Sequence, residues 1–159
     1  MRFVGFGEHE RGTLHQLLLD AYSGNNKLVN IYRQEWRRFD EFVYDNLDIM
    51  EACGFITEIQ GQPVGFASWD PRMMPEYVEL GHNCIITAHK GRGLGREQLR
   101  HALEIVKELG PARIIVKTGD IPFFEPARRM YLSAGFTEKR RLHLVGKTVP
   151  EAIEYELRF

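Results

Sequence analysis

The sequence predicts an α/β fold in which a mixed, mostly antiparallel sheet is flanked by helices, as one domain over residues 1–159. Three observations carry that expectation. Helical spacing dominates the first third, and a period of two replaces it near Gly54. The second half then alternates strand, helix, strand, helix and strands.

In chain order, a first strand is expected over residues 2–6. Residues 11–22 carry Leu14, Leu17, Leu18 and Leu19 on one helical face, and Gly24-Asn25-Asn26 reads as the stop. Residues 30–47 read as a second helix, with Ile31, Phe39, Phe42 and Val43 as its apolar positions and Tyr32, Trp36 and Tyr44 widening the stripe. Residues 54–59 and 63–69 flank the turn Gln60-Gly61-Gln62, which makes a hairpin, and Asp70-Pro71-Arg72 closes it. A long strand follows over residues 76–87. Residues 94–109 form an amphipathic helix with Leu94, Leu99, Ala102, Leu103, Val106 and Leu109 inward, stopped by Gly110-Pro111. The apolar run in residues 113–118 predicts a buried strand. Residues 125–134 form a helix that tolerates Pro126 in its first turn, and residues 136–144 and 152–159 alternate as a final strand pair.

Composition excludes several classes. At 159 residues, 43% apolar and 27% charged, the chain has the makeup of one soluble domain with a real core. A net charge of −1, with acidic and basic residues interleaved, gives no basic face for a nucleic acid. Cys53 and Cys84 lack metal or redox spacing and read as buried thiols in a reducing compartment; no metal site is expected. The start lacks a signal-peptide core, and no stretch approaches the ~18 apolar residues of a membrane span. The expectation is a cytoplasmic protein without a membrane partner.

The chemistry concentrates in Lys90-Gly91-Arg92-Gly93-Leu94-Gly95-Arg96, where a strand runs into a helix. Alternating glycines let the backbone turn its N–H groups inward and approach a bulky anion. The helix N-terminus adds partial positive charge, and Lys90, Arg92 and Arg96 add full charges. A pyrophosphate suits such a nest. The glycine spacing differs from a dinucleotide fingerprint, and Gly95 is followed by Arg96-Glu97 rather than the Lys-Ser/Thr of a P-loop. A tight glycine turn with solvated basic residues, or an FMN- or nucleotide-binding domain, are the competing readings of the loop alone.

Residues 79–109 resemble the acetyl-CoA-binding motif of the GCN5-related N-acetyltransferase (GNAT) family, Arg/Gln-x-x-Gly-x-Gly/Ala. Gly93 and Gly95 match its two small residues, whereas Lys90 or Arg92 departs from or shifts its first basic position. A second resemblance lies in Ala127-Arg128-Arg129-Met130-Tyr131-Leu132-Ser133-Ala134-Gly135-Phe136, similar to the family's Ala-x-x-Leu-Tyr-x-x-x-Gly-Phe. The likeness implies a sheet splayed at an acyl-CoA cleft. It implies that Ile85, Ile86 and Thr87 offer backbone groups to the pantetheine and thioester, and that Gly91, Arg92, Gly93, Leu94, Gly95 and Arg96 hold the pyrophosphate.

Tyr131 matches the family tyrosine that protonates the departing thiolate, a role open to a phenol with an ordinary pKa of about 10. Many members carry asparagine where this chain has Phe124, so that cofactor contact does not transfer; Phe123 and Phe124 read as core, or as packing on cofactor or substrate. Glu79 is the first candidate for the base that takes the amine proton, with His82 and Glu76 as rivals. Strand alternation puts Glu79 and His82 on opposite faces. A covalent route through a cysteine lacks an activating neighbour, so direct transfer is favoured.

The implied activity is N-acetylation of a small-molecule or peptide amine by acetyl-CoA. The alternative is a non-catalytic acyl-CoA sensor or interaction module on the same fold. Residues 22–48 and 70–77 would build the acceptor side, the amine itself is not encoded in any motif, and homodimers are frequent among relatives.

Overall fold

The computed structural model describes residues 1–143 and 151–159. Its strands are β1 (Arg2–Val4), β2 (Gly54–Ile59), β3 (Gln62–Asp70), β4 (Val78–Ile85), β5 (Arg113–Gly119), β6 (Thr137–Leu142) and β7 (Ala152–Arg158). The helices are α1 (Thr13–Ala21), α2 (Asn26–Asp45), α3 (Leu47–Met50), α4 (Leu94–Glu108) and α5 (Glu125–Ser133), with short 3-10 turns at Phe6–Glu8, Thr87–His89 and Pro122–Phe124. Strand order across the seven-stranded sheet is β1-β2-β3-β4-β5-β7-β6. The mostly antiparallel α/β fold expected from the sequence is what forms. The described residues divide into two compact units, Met1–Trp69 with His82–Ala102, and Asp70–Gly81 with Leu103–Phe159.

In the first unit, β1, β2 and β3 form an antiparallel meander. The hairpin turns at Gln60 and Gly61, both with positive φ (52° and 75°), the pair of left-handed residues that a two-residue turn between twisted strands requires. At Gly65 a Cβ would lie 2.3 Å from the Cys84 carbonyl oxygen, so only glycine lets β3 and β4 approach there. The core beside this meander is built from Phe6, Leu14, Leu18, Trp36, Val43, Ile56 and Phe66.

Helices α1 and α2 are tied together by a buried carboxylate. Asp40 of α2 is 2% exposed, yet it accepts hydrogen bonds from the amides of Gly12 (2.8 Å), Leu14 (3.0 Å) and His15 (3.2 Å). It serves α1 as an N-cap supplied from another helix, and its negative charge suits the positive helix end. Asn25 caps α2 by accepting from the Leu28 amide at 3.1 Å. The Gly24-Asn25-Asn26 run therefore starts the second helix as well as following the first, and α2 begins a turn earlier than expected. Phe42 is 56% exposed and lies outside the buried stripe assigned to it.

In the second unit, β4 and β5 run parallel over Val78–Leu80 against Ile114–Val116. β5 pairs along its whole length with β7, from Arg113↔Arg158 to Gly119↔Ala152. β7 thus sits between β5 and β6, which pairs with it antiparallel. Acidic residues on β7 meet cations around them: Glu154 faces Arg140 at 3.1 Å, and Glu156 is approached by Arg158 (2.5 Å), Lys139 (3.5 Å) and Arg113 (3.5 Å). Leu109, expected inward, is 45% exposed because α4 has already ended at Glu108. Leu144, the last residue of the expected strand 136–144, lies outside the described residues.

Candidate functional site

The glycine loop leaves β4 through the 3-10 turn Thr87–His89 and enters α4 at Leu94. Gly91 and Gly93 hold φ values of 75° and 80°, left-handed backbone that favours glycine, and a Cβ at either would meet nothing within 4 Å. The glycines are therefore there for conformation rather than for lack of room. The amides of Arg96 and Glu97 donate to the Gly93 carbonyl at 3.1 and 3.2 Å. The Leu94 and Gly95 amides precede that first helical turn and are among the donors that no helix satisfies internally. With the exposed Arg92 and Arg96 on the same segment, the loop presents donors and positive charge to an anion.

Lys90 is placed differently from the two arginines. Its ammonium donates to the carbonyl of Ala21 at the end of α1. Burial pushes its pKa down, against the nearby Cys84 and Asp20. Asp20 holds the preceding turn: its carboxylate accepts from the Thr87 amide at 2.8 Å, and its carbonyl accepts from the Thr87 hydroxyl at 2.8 Å. Lys90 and Thr87 thus fasten the loop to α1. The Ile86 amide donates to the Val64 carbonyl at 2.8 Å, so the donors of Ile86 and Thr87 are engaged within the protein.

Beneath the loop, Gln98 is fully buried. Its Oε1 accepts from Thr57 Oγ1 at 2.6 Å, while its Nε2 faces Asn83 Oδ1 (2.6 Å), the Phe66 carbonyl (2.9 Å) and the Cys84 carbonyl (3.3 Å). The sequence reading missed this residue. The available signal was a polar side chain on the α4 stripe that also carries Leu99, Ala102 and Val106.

His82 packs its ring against Phe39 and Phe66, with centroids 4.6 and 5.4 Å away. Burial lowers its pKa to about 4, so the imidazole is neutral at pH 7. Cys84 is buried, and burial raises its thiol to about 12, which leaves almost no thiolate.

In the second unit, Tyr131 is 5% exposed on α5, with Phe136 and Tyr155 ring centroids at 5.7 and 6.4 Å. Glu79 is half-buried and ion-paired to Lys117, its oxygens 3.0 and 3.1 Å from the ammonium. Glu76 lies 3.4 Å from Arg113 at the surface. Phe124 packs against Gly119, where a Cβ would come within 2.7 Å of its ring. Among the described residues, no group of three or more histidine, cysteine or acidic side chains could hold a metal ion. No helix among them is long and apolar enough to cross a membrane.

The family described as the Acetyltransferase (GNAT) family matches residues 14–136. The chain belongs to the GNAT acetyltransferase family. A rat relative, N-acetyltransferase family 8 member 3, is 27% identical over 89 residues, covering 54% of this chain and 38% of that protein. The chain spans well under half the length of the curated relatives it matches. Among solved structures, a Desulfovibrio desulfuricans protein assigned to the GNAT family superposes with a TM-score of 0.76 at 19% identity, over 99% of this chain and 96% of that one. The yncA protein of Salmonella typhimurium, solved with its cofactor acetyl-CoA, gives 0.62 at 18% identity over 77% and 73% of the two chains. The GNAT match encloses the loop at Lys90–Arg96 and ends on Phe136, the last residue of the second motif.

Proposed function

We propose that this GNAT chain is an N-acetyltransferase that passes an acetyl group from acetyl-CoA directly to an amine of a small molecule or peptide. The observation that carries the reading is the left-handed pair Gly91 and Gly93 just before α4, with the exposed Arg92 and Arg96 on the same segment, an arrangement suited to an anion. The pyrophosphate of acetyl-CoA is the anion proposed, held by Gly91, Arg92, Gly93, Leu94, Gly95 and Arg96. Lys90 supports that segment from behind through Ala21. Since the amides of Ile86 and Thr87 are engaged, the proposed backbone donor to the thioester is Ile85, while carbonyl oxygens of the segment would accept from the pantetheine amides.

Direct transfer is favoured by the state of Cys84, whose burial-raised pKa of about 12 denies it a nucleophilic thiolate. Tyr131 is the proposed acid. Its ring packs against those of Phe136 and Tyr155, and a phenol there can donate as the thiolate departs. For the amine proton, His82 is packed against the rings of Phe39 and Phe66, where burial opposes the charge it would gain. Glu79 remains the proposed base, with Lys117 holding its carboxylate in place.

The test is release of CoA thiol on incubation with acetyl-CoA and a panel of primary amines, run on the wild type and Tyr131→Phe. The reading expects turnover in the wild type and a loss of about 10²-fold or more in kcat for the variant, with acetyl-CoA affinity little changed. Cofactor binding without turnover on any amine would point to an acyl-CoA sensor instead. Equal kcat in the two proteins would remove Tyr131 from the acid role.

A further inference from the structure

The buried amide of Gln98 has no place in the chemistry proposed above, and its surroundings are unusually demanding. A glutamine in an apolar helix stripe loses its water, and each unmet donor or acceptor then destabilises the fold. Here the side chain reaches three strands at once: Thr57 on β2, the Phe66 carbonyl on β3, and Asn83 with the Cys84 carbonyl on β4. Two Nε2 hydrogens are shared among three acceptors, the shortest at 2.6 Å. A leucine on the same buried helix face would ask the strands for nothing.

The difference lies in direction. Apolar packing tolerates a small rotation or slide of a helix, whereas hydrogen bonds to the Phe66 and Cys84 carbonyls at 2.9 and 3.3 Å, joined by the Thr57 and Asn83 side chains at 2.6 Å each, resist both. Gln98 stands one turn after Leu94, so what it fixes is the turn that carries the loop amides. It does so where β3 and β4 are already held close by Gly65, beside the same Cys84 carbonyl. The helix end and β4 are thereby referred to one point.

We infer that Gln98 is a positioning residue for the diphosphate of the acyl-CoA, locking the first turn of α4 to β2, β3 and β4 through a buried amide so that the amides of residues 91–95 stay aimed. The inference rests on the acetyl-CoA reading. It separates Gln98 from a residue that merely fills the core: affinity for the diphosphate, not only stability, depends on it. Misplacing donors by about 1 Å is enough to cost on the order of 10²-fold, so a partial loosening predicts about tenfold.

The experiment compares wild type, Gln98→Leu and Thr57→Val, the last removing only the Oε1 partner. Three readouts are taken below each protein's own melting midpoint: calorimetric Kd for CoA, the ³¹P shift of the bound CoA diphosphate, and hydrogen exchange of residues 91–97 without ligand. Gln98→Leu is expected to bind CoA about tenfold more weakly, to lose part of the bound ³¹P shift, and to exchange faster in residues 91–97. Thr57→Val should move the same way by a smaller factor, and it carries the test if Gln98→Leu does not fold. CoA affinity within twofold of wild type and unchanged exchange in the loop would overturn the inference, even if the melting point falls. Wild type that fails to bind CoA would refute the acetyl-CoA reading itself, whereas loosened exchange in that case would still record the lock.

Discussion

Replacing Gly93 by alanine separates the loop's backbone conformation from its charge. A Cβ at Gly93 has nothing within 4 Å, so the substitution brings no clash. What it brings is a left-handed residue at φ 80°, a cost of about 1–2 kcal/mol for an L side chain. Lower entropy of the unfolded chain offsets about 0.4–1 kcal/mol of that. The net loss of stability is then about 1 kcal/mol, a fall in melting temperature of ~2–4 °C for a domain of this size. The loop can escape the strain by rotating to negative φ, which turns its peptide groups away from the anion. Losing one or two hydrogen bonds to a charged phosphate costs about 1.5–3 kcal/mol each, and every ~1.4 kcal/mol is tenfold in Kd. The expected result is a small drop in stability with a drop in CoA affinity of at least about tenfold. The assays are thermal denaturation and titration calorimetry on the same preparations. CoA affinity within threefold of wild type, alongside the expected stability loss, would refute the idea that backbone donors hold the diphosphate.

Other consequences follow from buried charge. Asp40→Ala removes the acceptor of the Gly12, Leu14 and His15 amides and should cost about 2–3 kcal/mol, or roughly 5–10 °C in melting temperature; a fall below about 2 °C would contradict the cross-helix cap. His82 has a folded pKa of about 4 against an ordinary 6.5, so the unfolded chain binds its proton more readily. Its contribution is therefore fully present above pH 6.5 and is lost as pH falls toward 4, by up to about 3 kcal/mol. Urea denaturation across that range should show a shallower pH dependence for His82→Phe, and parallel curves would exclude His82 as the source.

Much of the architecture was legible because it is written in local pattern. The hairpin at Gln60-Gly61, the strand–loop–helix unit ending in α4, and the Gly110-Pro111 stop all depend on residues adjacent in sequence. The turn of the glycine loop was legible for the same reason: its left-handed backbone is supplied by Gly91 and Gly93 themselves. What escaped notice depends on partners far along the chain. Asp40 on α2 looks like one more surface acid until α1 folds against it. Lys90 reads as a phosphate ligand beside Arg92, whereas in the fold its ammonium is turned to Ala21. Glu79 reads as an available base, and the parallel neighbour strand supplies Lys117 to pair with it. Gln98 interrupts an apolar stripe, and only the assembled sheet reveals the four groups it meets.

The central claim, that the loop at Lys90–Arg96 is built for acetyl-CoA, is met most directly by titrating acetyl-CoA into the wild-type protein in a calorimeter at cofactor concentrations up to about 100 µM. Saturable binding at one site per chain, with a Kd in the micromolar range or below, is the predicted result. The absence of binding across that range would contradict the claim, whatever the loop's glycines suggest about anions.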